Sequence, residues 1–297
     1  MPTSTPGTRQ SRRISFGQNF LHNRRLVRRL VEETTITTSD VVVEIGPGRG
    51  IITDALSARC RHVLAIENDP HHAEIMRARS AQRENVIVFG ADILTFPLPA
   101  TPYKVFSSIP FNITAAIVGK LTSGIAPPEA AWLVMQREAA DRYLGNPIGT
   151  LQSVRLHPWF STAIVHTFRR QDFVPMPQVE CALLHLERRA EPFVPFGQRE
   201  HYEDFMTALF SAWKPTVEAA LITILPKREV QMLHRKSNDA IVQRPSQTPL
   251  AVWVDLFHHV MEMDDPHVWQ RCHAAAARVR QQQEMIPKRT QTTVRRR

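Results

Sequence analysis

The sequence predicts an open, mostly parallel α/β sheet covered by helices on both faces, followed by a small all-helical domain. Three observations carry this. Short β-branched runs alternate with helix-length segments as far as about Arg189. A glycine loop, Glu44-Ile45-Gly46-Pro47-Gly48-Arg49-Gly50, closes the first of those runs. Beyond Arg189, segments with helical spacing follow one another with no strand candidate between them.

Leu26, Val27, Leu30 and Val31 repeat at helical spacing behind Asn23, a capping residue type, and predict a helix over 24–33. Val41-Val42-Val43-Glu44-Ile45 reads as a strand buried on both faces, and 51–58 as a helix. A second buried strand is Val63-Leu64-Ala65-Ile66. Asp69-Pro70, an aspartate cap with proline at the first helical position, opens a helix over 70–80. Further strands are expected at 86–89, 103–107 and 131–135, with helices at 113–121 and 137–144. Two last strands, near 163–168 and 181–186, are joined by a loop that Pro175 and Pro177 stiffen; as a hairpin-like pair they would add an antiparallel edge. Helices are then expected at 201–213, 216–225 and 249–262.

The resulting division is a disordered basic tail over 1–13, a main domain over 14–189, a helical domain over 190–263 entered through the Pro/Phe-rich stretch 191–197, and a flexible basic tail over 264–297. The 297 residues carry a net charge of +9, and a chain this basic is expected to meet a polyanion, nucleic acid by default. Arg24, Arg25, Arg28 and Arg29 cluster on the first helix, and 278–297 holds seven basic residues against Glu284 alone, a composition expected to contact phosphates. Cys60, Cys181 and Cys272 fit neither a disulfide framework nor a zinc spacing, and are expected as reduced thiols with no metal. The absence of an apolar run of about 18 residues argues against a membrane span, and the N-terminus has no secretory h-region, so a cytoplasmic protein is expected.

Glycines at 46, 48 and 50 let backbone approach a ligand between strand and helix. The dinucleotide fingerprint would need glycine where Ile51 stands, and no Gly-Lys-Ser/Thr follows, which excludes a P-loop. Glu44, just ahead of the loop, can face a positively charged ligand. Glu67 ends the second strand about twenty residues on, where a carboxylate can accept from both hydroxyls of a ribose. Asp92 follows the third strand and could hold the amine of a nucleoside base, or cap a turn. Ser108-Ile109-Pro110-Phe111 closes the fourth strand. The Ser108 hydroxyl and Ile109 carbonyl can accept from an exocyclic amine, Pro110 stiffens the loop, and Phe111 offers a stacking face. Such a slot suits a planar base, with catalysis resting on position more than on a strong base.

Together these segments resemble the rRNA adenine N6-dimethyltransferases. The resemblance runs from about 14 to 260 and rests on Phe16-Gly17-Gln18-Asn19-Phe20-Leu21, the Glu44–Gly50 loop, Glu67-Asn68-Asp69, Ala91-Asp92-Ile93-Leu94, Ser108 to Phe111, Gln136-Arg137-Glu138 and 173–179. It implies a Rossmann-like S-adenosyl-L-methionine-dependent methyltransferase sheet, with Gln18, Asn19, Leu21, Gly46, Gly48, Glu67, Asp92, Ile93 and Ser108 at the cofactor. Ser108, Ile109, Pro110 and Phe111 would be catalytic, with Phe111 on the target adenine, and Phe16 would help close the pocket. Ile109 and the stretch His157-Pro158-Trp159-Phe160 resemble the Erm branch, which methylates 23S rRNA and confers macrolide–lincosamide–streptogramin B resistance. The alternatives are the small-subunit dimethylases of ribosome assembly, or a non-catalytic RNA-binding factor on the same fold. Both enzyme branches commonly carry Asn where this chain has Ser108, which leaves mono- against dimethylation open. A monomer acting on 23S rRNA is the expected form.

Overall fold

The computed structural model describes residues 19–236 and 240–285. The chain begins with β1 (Phe20–Leu21), α1 (Arg24–Glu32), β2 (Val41–Ile45), α2 (Ile51–Ser57), β3 (His62–Glu67), α3 (Pro70–Ser80), β4 (Val86–Gly90) and β5 (Lys104–Ser108). It continues through α4 (Thr114–Ser123), β6 (Ala130–Gln136), α5 (Arg137–Leu144), α6 (Leu151–Leu156), β7 (Phe160–Phe168), β8 (Phe173–Val174) and β9 (Cys181–Arg188). Five helices follow: α7 (Arg199–Ser211), α8 (Val217–Leu221), α9 (Lys227–Lys236), α10 (Leu250–Met263) and α11 (Pro266–Met285).

Seven strands pair in the order β4-β3-β2-β5-β6-β9-β7. β2 runs parallel to both β3 and β5, and β3 parallel to β4, in the register Val41 opposite His62 and Val63 opposite Val86. The chain thus moves outward from β2 to β4 and then returns to lay β5 on the other side of β2. That reversal opens a crevice at the carboxyl ends of β2 and β5, the usual ligand position in such sheets. Val42, Val43, Val63, Ala65 and Val105 are wholly buried, which is why their runs are continuous and not alternating. Each large apolar side chain so placed contributes about 1.5–3 kcal/mol. β4 lies at the edge, and Ile87 is accordingly 44% exposed. Asn23 caps α1 by accepting from the Leu26 N–H, and Asp69 caps α3 by accepting from His71 and His72, so both predicted caps are present.

The chain divides into two compact units. One holds the described residues up to Ala126 together with Leu133–Gln136 and Thr167–Cys181; the other holds Pro127–Trp132, Arg137–His166 and the described residues from Ala182 onward. In the second, Tyr202 and Phe205 of α7 pack on Phe257 of α10, with ring centroids 5.1 and 6.0 Å apart.

Four features depart from expectation. Two-residue strands β1 and β8 pair antiparallel, Phe20 opposite Val174 and Leu21 opposite Phe173, where no strand was expected. α6 and α9 were also not expected, and of 216–225 only Val217–Leu221 is α-helical. The largest difference is α11, which occupies residues expected in a flexible tail. Val268, Cys272 and Ala276, spaced by four, make a buried stripe one residue wide that the surrounding Gln, His and Arg mask in the composition. Residues 1–18 and 286–297, which include both expected tail ends, lie outside the described residues. All three cysteines are free and buried. Among the described residues no helix is long and apolar enough to cross a membrane.

Candidate active site

The glycine loop is held in a conformation that side chains resist. Gly46, Gly48 and Gly50 have φ of +65°, +52° and +74°, the left-handed region. Gly46 N–H donates to the Ile66 carbonyl at 2.9 Å, and Gly50 N–H to the Pro47 carbonyl at 2.8 Å, so the loop is tied to β3 and folded on itself. A Cβ on Gly48 would stand 2.5 Å from Cε1 of Phe20, whereas one on Gly46 would meet nothing within 4 Å. Phe20 is therefore pressed on the loop at residue 48, and residue 46 faces open space. The Arg49 guanidinium lies 5.5 Å from the Phe20 ring centroid, within cation–π range. The ribbon of β1 and β8 delivers Phe20 to that position.

The acidic residues take three different roles. Glu67 is 3% exposed; its carboxylate accepts from Gly48 N–H at 3.3 Å and from Asp69 N–H at 3.0 Å. Far from facing solvent, it supports the base of the loop. Asp92 is exposed and accepts from Leu94 N–H at 2.9 Å, so the capping role is present, while Ile93 beside it is buried. Glu44 corrects an expectation. It is wholly buried, accepts from the Thr53 hydroxyl at 2.6 Å, and burial pushes its pKa up to about 8. Buried against Thr53 and favouring its neutral form, it faces the interior and not a ligand.

The Ser-Ile-Pro-Phe loop leaves β5 beside that glycine loop. Two adjacent serines divide the work. Ser107 is buried and exchanges hydrogen bonds with the Ile45 backbone, accepting from its N–H at 3.2 Å and donating to its carbonyl at 2.5 Å. Ser108 is half-buried and turned to the cleft. Ile109 N–H donates to the Val134 carbonyl at 3.2 Å, fixing the start of the loop to β6. Pro110 opens a short 3-10 turn, Phe111–Ile113, whose Ile113 N–H bonds back to the Pro110 carbonyl at 3.2 Å.

One cleft joins these parts, walled by the N-terminal strand, the glycine loop and the Ser-Ile-Pro-Phe loop. Its walls bring together Asn19, Leu21, Gly46, Ser108, Ile109, Pro110 and Phe111 of the expected set. Gly48 and Glu67 adjoin it through their shared hydrogen bond. Asp92 and Ile93 sit past β4 and do not line it, and Gln18 and Phe16 lie outside the described residues. Phe20 and Arg49 line the cleft and were missed as site residues. An arginine within the glycine loop, and an aromatic residue between Asn19 and Leu21, were the available signals.

The profile of the family described as ribosomal RNA adenine dimethylase matches residues 9–257. The rRNA adenine N-6-methyltransferase of Saccharopolyspora erythraea is 32% identical over 266 residues, covering 87% of this chain and 68% of that protein. The mycinamicin-resistance protein MyrB of Micromonospora griseorubida is 29% identical over 251 residues, covering 84% of this chain and 80% of that one. Among solved structures, the 23S rRNA methyltransferase ErmE superposes with a TM-score of 0.71 at 30% identity, over 82% of this chain and 100% of that chain. A dimethyladenosine transferase from Plasmodium falciparum, at 20% identity and a TM-score of 0.63, shares the fold. The parallel sheet with its crevice between β2 and β5 is accordingly that of the S-adenosylmethionine-dependent methyltransferases, and the chain belongs to the ribosomal RNA adenine dimethylase family, an Erm-like rRNA adenine N6-methyltransferase.

Proposed function

We propose that this enzyme methylates N6 of a specific adenosine in 23S rRNA and thereby confers macrolide–lincosamide–streptogramin B resistance. The observation that carries the reading is the cleft itself. It sets Ser108 to Phe111 against the glycine loop at the point where the strand order reverses. The MyrB and ErmE names support the 23S target and the resistance outcome.

S-adenosyl-L-methionine, when bound, supplies a methyl group on a positively charged sulfur. The residues present fit it. Gly46 opens onto unfilled space where a Cβ would intrude, and Glu67 is a buried carboxylate beside the loop backbone, matched to ribose hydroxyls. Asn19 and Leu21 would hold it from the N-terminal side. Asp92 and Ile93, beyond the next strand, would take its adenine, with the second Asp92 oxygen left for the amine.

The target N6 is a weak nucleophile because its lone pair is delocalised into the ring. The Ser108 hydroxyl and Ile109 carbonyl accept its two N–H bonds and localise that pair. Phe111 stacks on the flipped base, a contact worth about 1–3 kcal/mol in single-strand binders. Pro110 keeps both acceptors in place and contributes no competing N–H. No strong base is needed, since the proton leaves a nitrogen that has already become cationic. Residues 14–189 carry this chemistry, and 190–263 contribute RNA contacts. The form taken by this reading is a cytoplasmic monomer acting on 23S rRNA.

The test is primer extension on 23S rRNA from a host expressing the enzyme, read beside macrolide susceptibility, with 16S rRNA as the parallel arm. A stop at one 23S adenosine for two methyl groups, or N6-methyladenosine found there by mass spectrometry for one, is expected, and either is lost in Phe111→Ala. Modification of 16S rRNA alone, or full activity in Phe111→Ala, would overturn the reading.

A further inference from the structure

A second feature lies in the helical part of the chain, in a groove lined by the end of α7, residues 223–224 and one face of α11. Trp213 stands at this groove with its side chain 92% exposed and φ of +50°, a backbone region that bulky residues seldom adopt. The other four tryptophans are buried or half-buried: Trp132, Trp159 and Trp253 are at most 3% exposed, and Trp269 packs on His201 and Phe257. An indole held open to water on a left-handed turn presents a free ring face for stacking.

The facing helix supplies the chemistry of that partner. Arg271, Ala274, Ala275 and Arg278 share one face of α11, so two alanines make a low floor with a guanidinium at each end. Seven residues of helix separate the arginines by about 10 Å along the axis. Arg271 is oriented by its own Nε, which donates to the Ile224 carbonyl at 2.7 Å. Among the described residues neither arginine, nor exposed Lys214 beside the tryptophan, has a carboxylate within ion-pair distance. α11 itself has no acidic residue before Glu284. An aromatic face flanked by unneutralised cations is the arrangement that holds an unpaired nucleotide, the base on the ring and the phosphates on the guanidiniums.

We propose that this groove is an RNA subsite: Trp213 stacks on one unpaired base of the substrate rRNA, and Arg271 and Arg278 contact the phosphates on either side. It rests on the reading that the enzyme acts on RNA, and names where, away from the methyl-transfer cleft, the chain grips it.

The experiment titrates the full-length protein with a ten-nucleotide single-stranded RNA and, separately, with 23S rRNA, following tryptophan emission and Kd at two salt concentrations. In the wild type the RNA quenches emission and shields it from acrylamide; both effects vanish in Trp213→Ala. Trp213→Ala weakens binding roughly tenfold, the size of one lost base stack, and Trp213→Phe restores most of it. Arg271→Ala and Arg278→Ala each weaken binding and lower its salt dependence by about one ion. An RNA-induced quench and a Kd that persist unchanged in Trp213→Ala would overturn the proposal, as would a wild-type dimer that dissociates on that substitution, which would make the groove a self-association surface. Binding that depends on Trp213 without any methylation of 23S rRNA would sink the functional reading alone; methylation with unaltered binding in Trp213→Ala would sink the subsite alone.

Discussion

Glu44→Gln probes a carboxyl that burial holds against its ordinary ionised state. Glu44 is 1% exposed, and burial raises its pKa from 4.5 to about 8. Below about pH 4.5 the folded and unfolded chains both carry the proton, and stability is complete. Between 4.5 and about 8 the folded protein keeps a proton that the unfolded chain has lost, so stability falls as pH rises, by about 1.4 kcal/mol per pH unit. Above 8 the loss is complete, on the order of 5 kcal/mol. Glutamine keeps the shape and an acceptor for the Thr53 hydroxyl but cannot ionise. It brings one extra N–H into an apolar site, a cost of about 1–3 kcal/mol at every pH. The variant is therefore expected to be the less stable protein at pH 5 and to gain steadily on the wild type, overtaking it before pH 8. Urea unfolding followed by circular dichroism at pH 5, 6, 7 and 8 reads the difference directly. Parallel stability curves across that range would refute the argument, since they would mean that Glu44 is already ionised in the fold or solvated.

Two further substitutions act on the cleft. Gly48→Ala and Gly46→Ala both incur the left-handed penalty of about 1–2 kcal/mol, but only the former drives a Cβ against Phe20, at 2.5 Å. Thermal melts should place Gly48→Ala below Gly46→Ala; equal melting would mean that Phe20 does not rest on the loop. Glu67→Gln turns an N–H toward the Gly48 or Asp69 N–H where an oxygen now accepts, so calorimetry should show S-adenosylmethionine affinity down at least tenfold, and an unaltered Kd would remove Glu67 from the site.

Most of the sheet was legible because parallel strands buried on both faces are written as uninterrupted β-branched runs, as at residues 41–45 and 63–66. The caps at Asn23 and Asp69 were legible for a local reason: a cap acts on N–H groups two or three residues away. The ribbon of β1 and β8 was not, because two-residue strands have no period and their partners are 152 and 154 positions apart. Nor could a sequence say on which side of the pleat Glu44 would fall, or that Ser107 brace β2 while Ser108 faces the cleft. α11 was hidden by composition, its buried stripe being outnumbered by polar residues on every other face.

The pairing of Phe20 with Val174 has a consequence for how the enzyme is made. A ribosome must polymerise past residue 174 before the segment that walls the cleft acquires a strand to dock against. Until then the glycine loop has no aromatic cover, whatever the state of β2 and β3. Completion of the cleft thus waits on a contact between distant parts of the chain and not on the early-emerging strands that bear the recognisable motif.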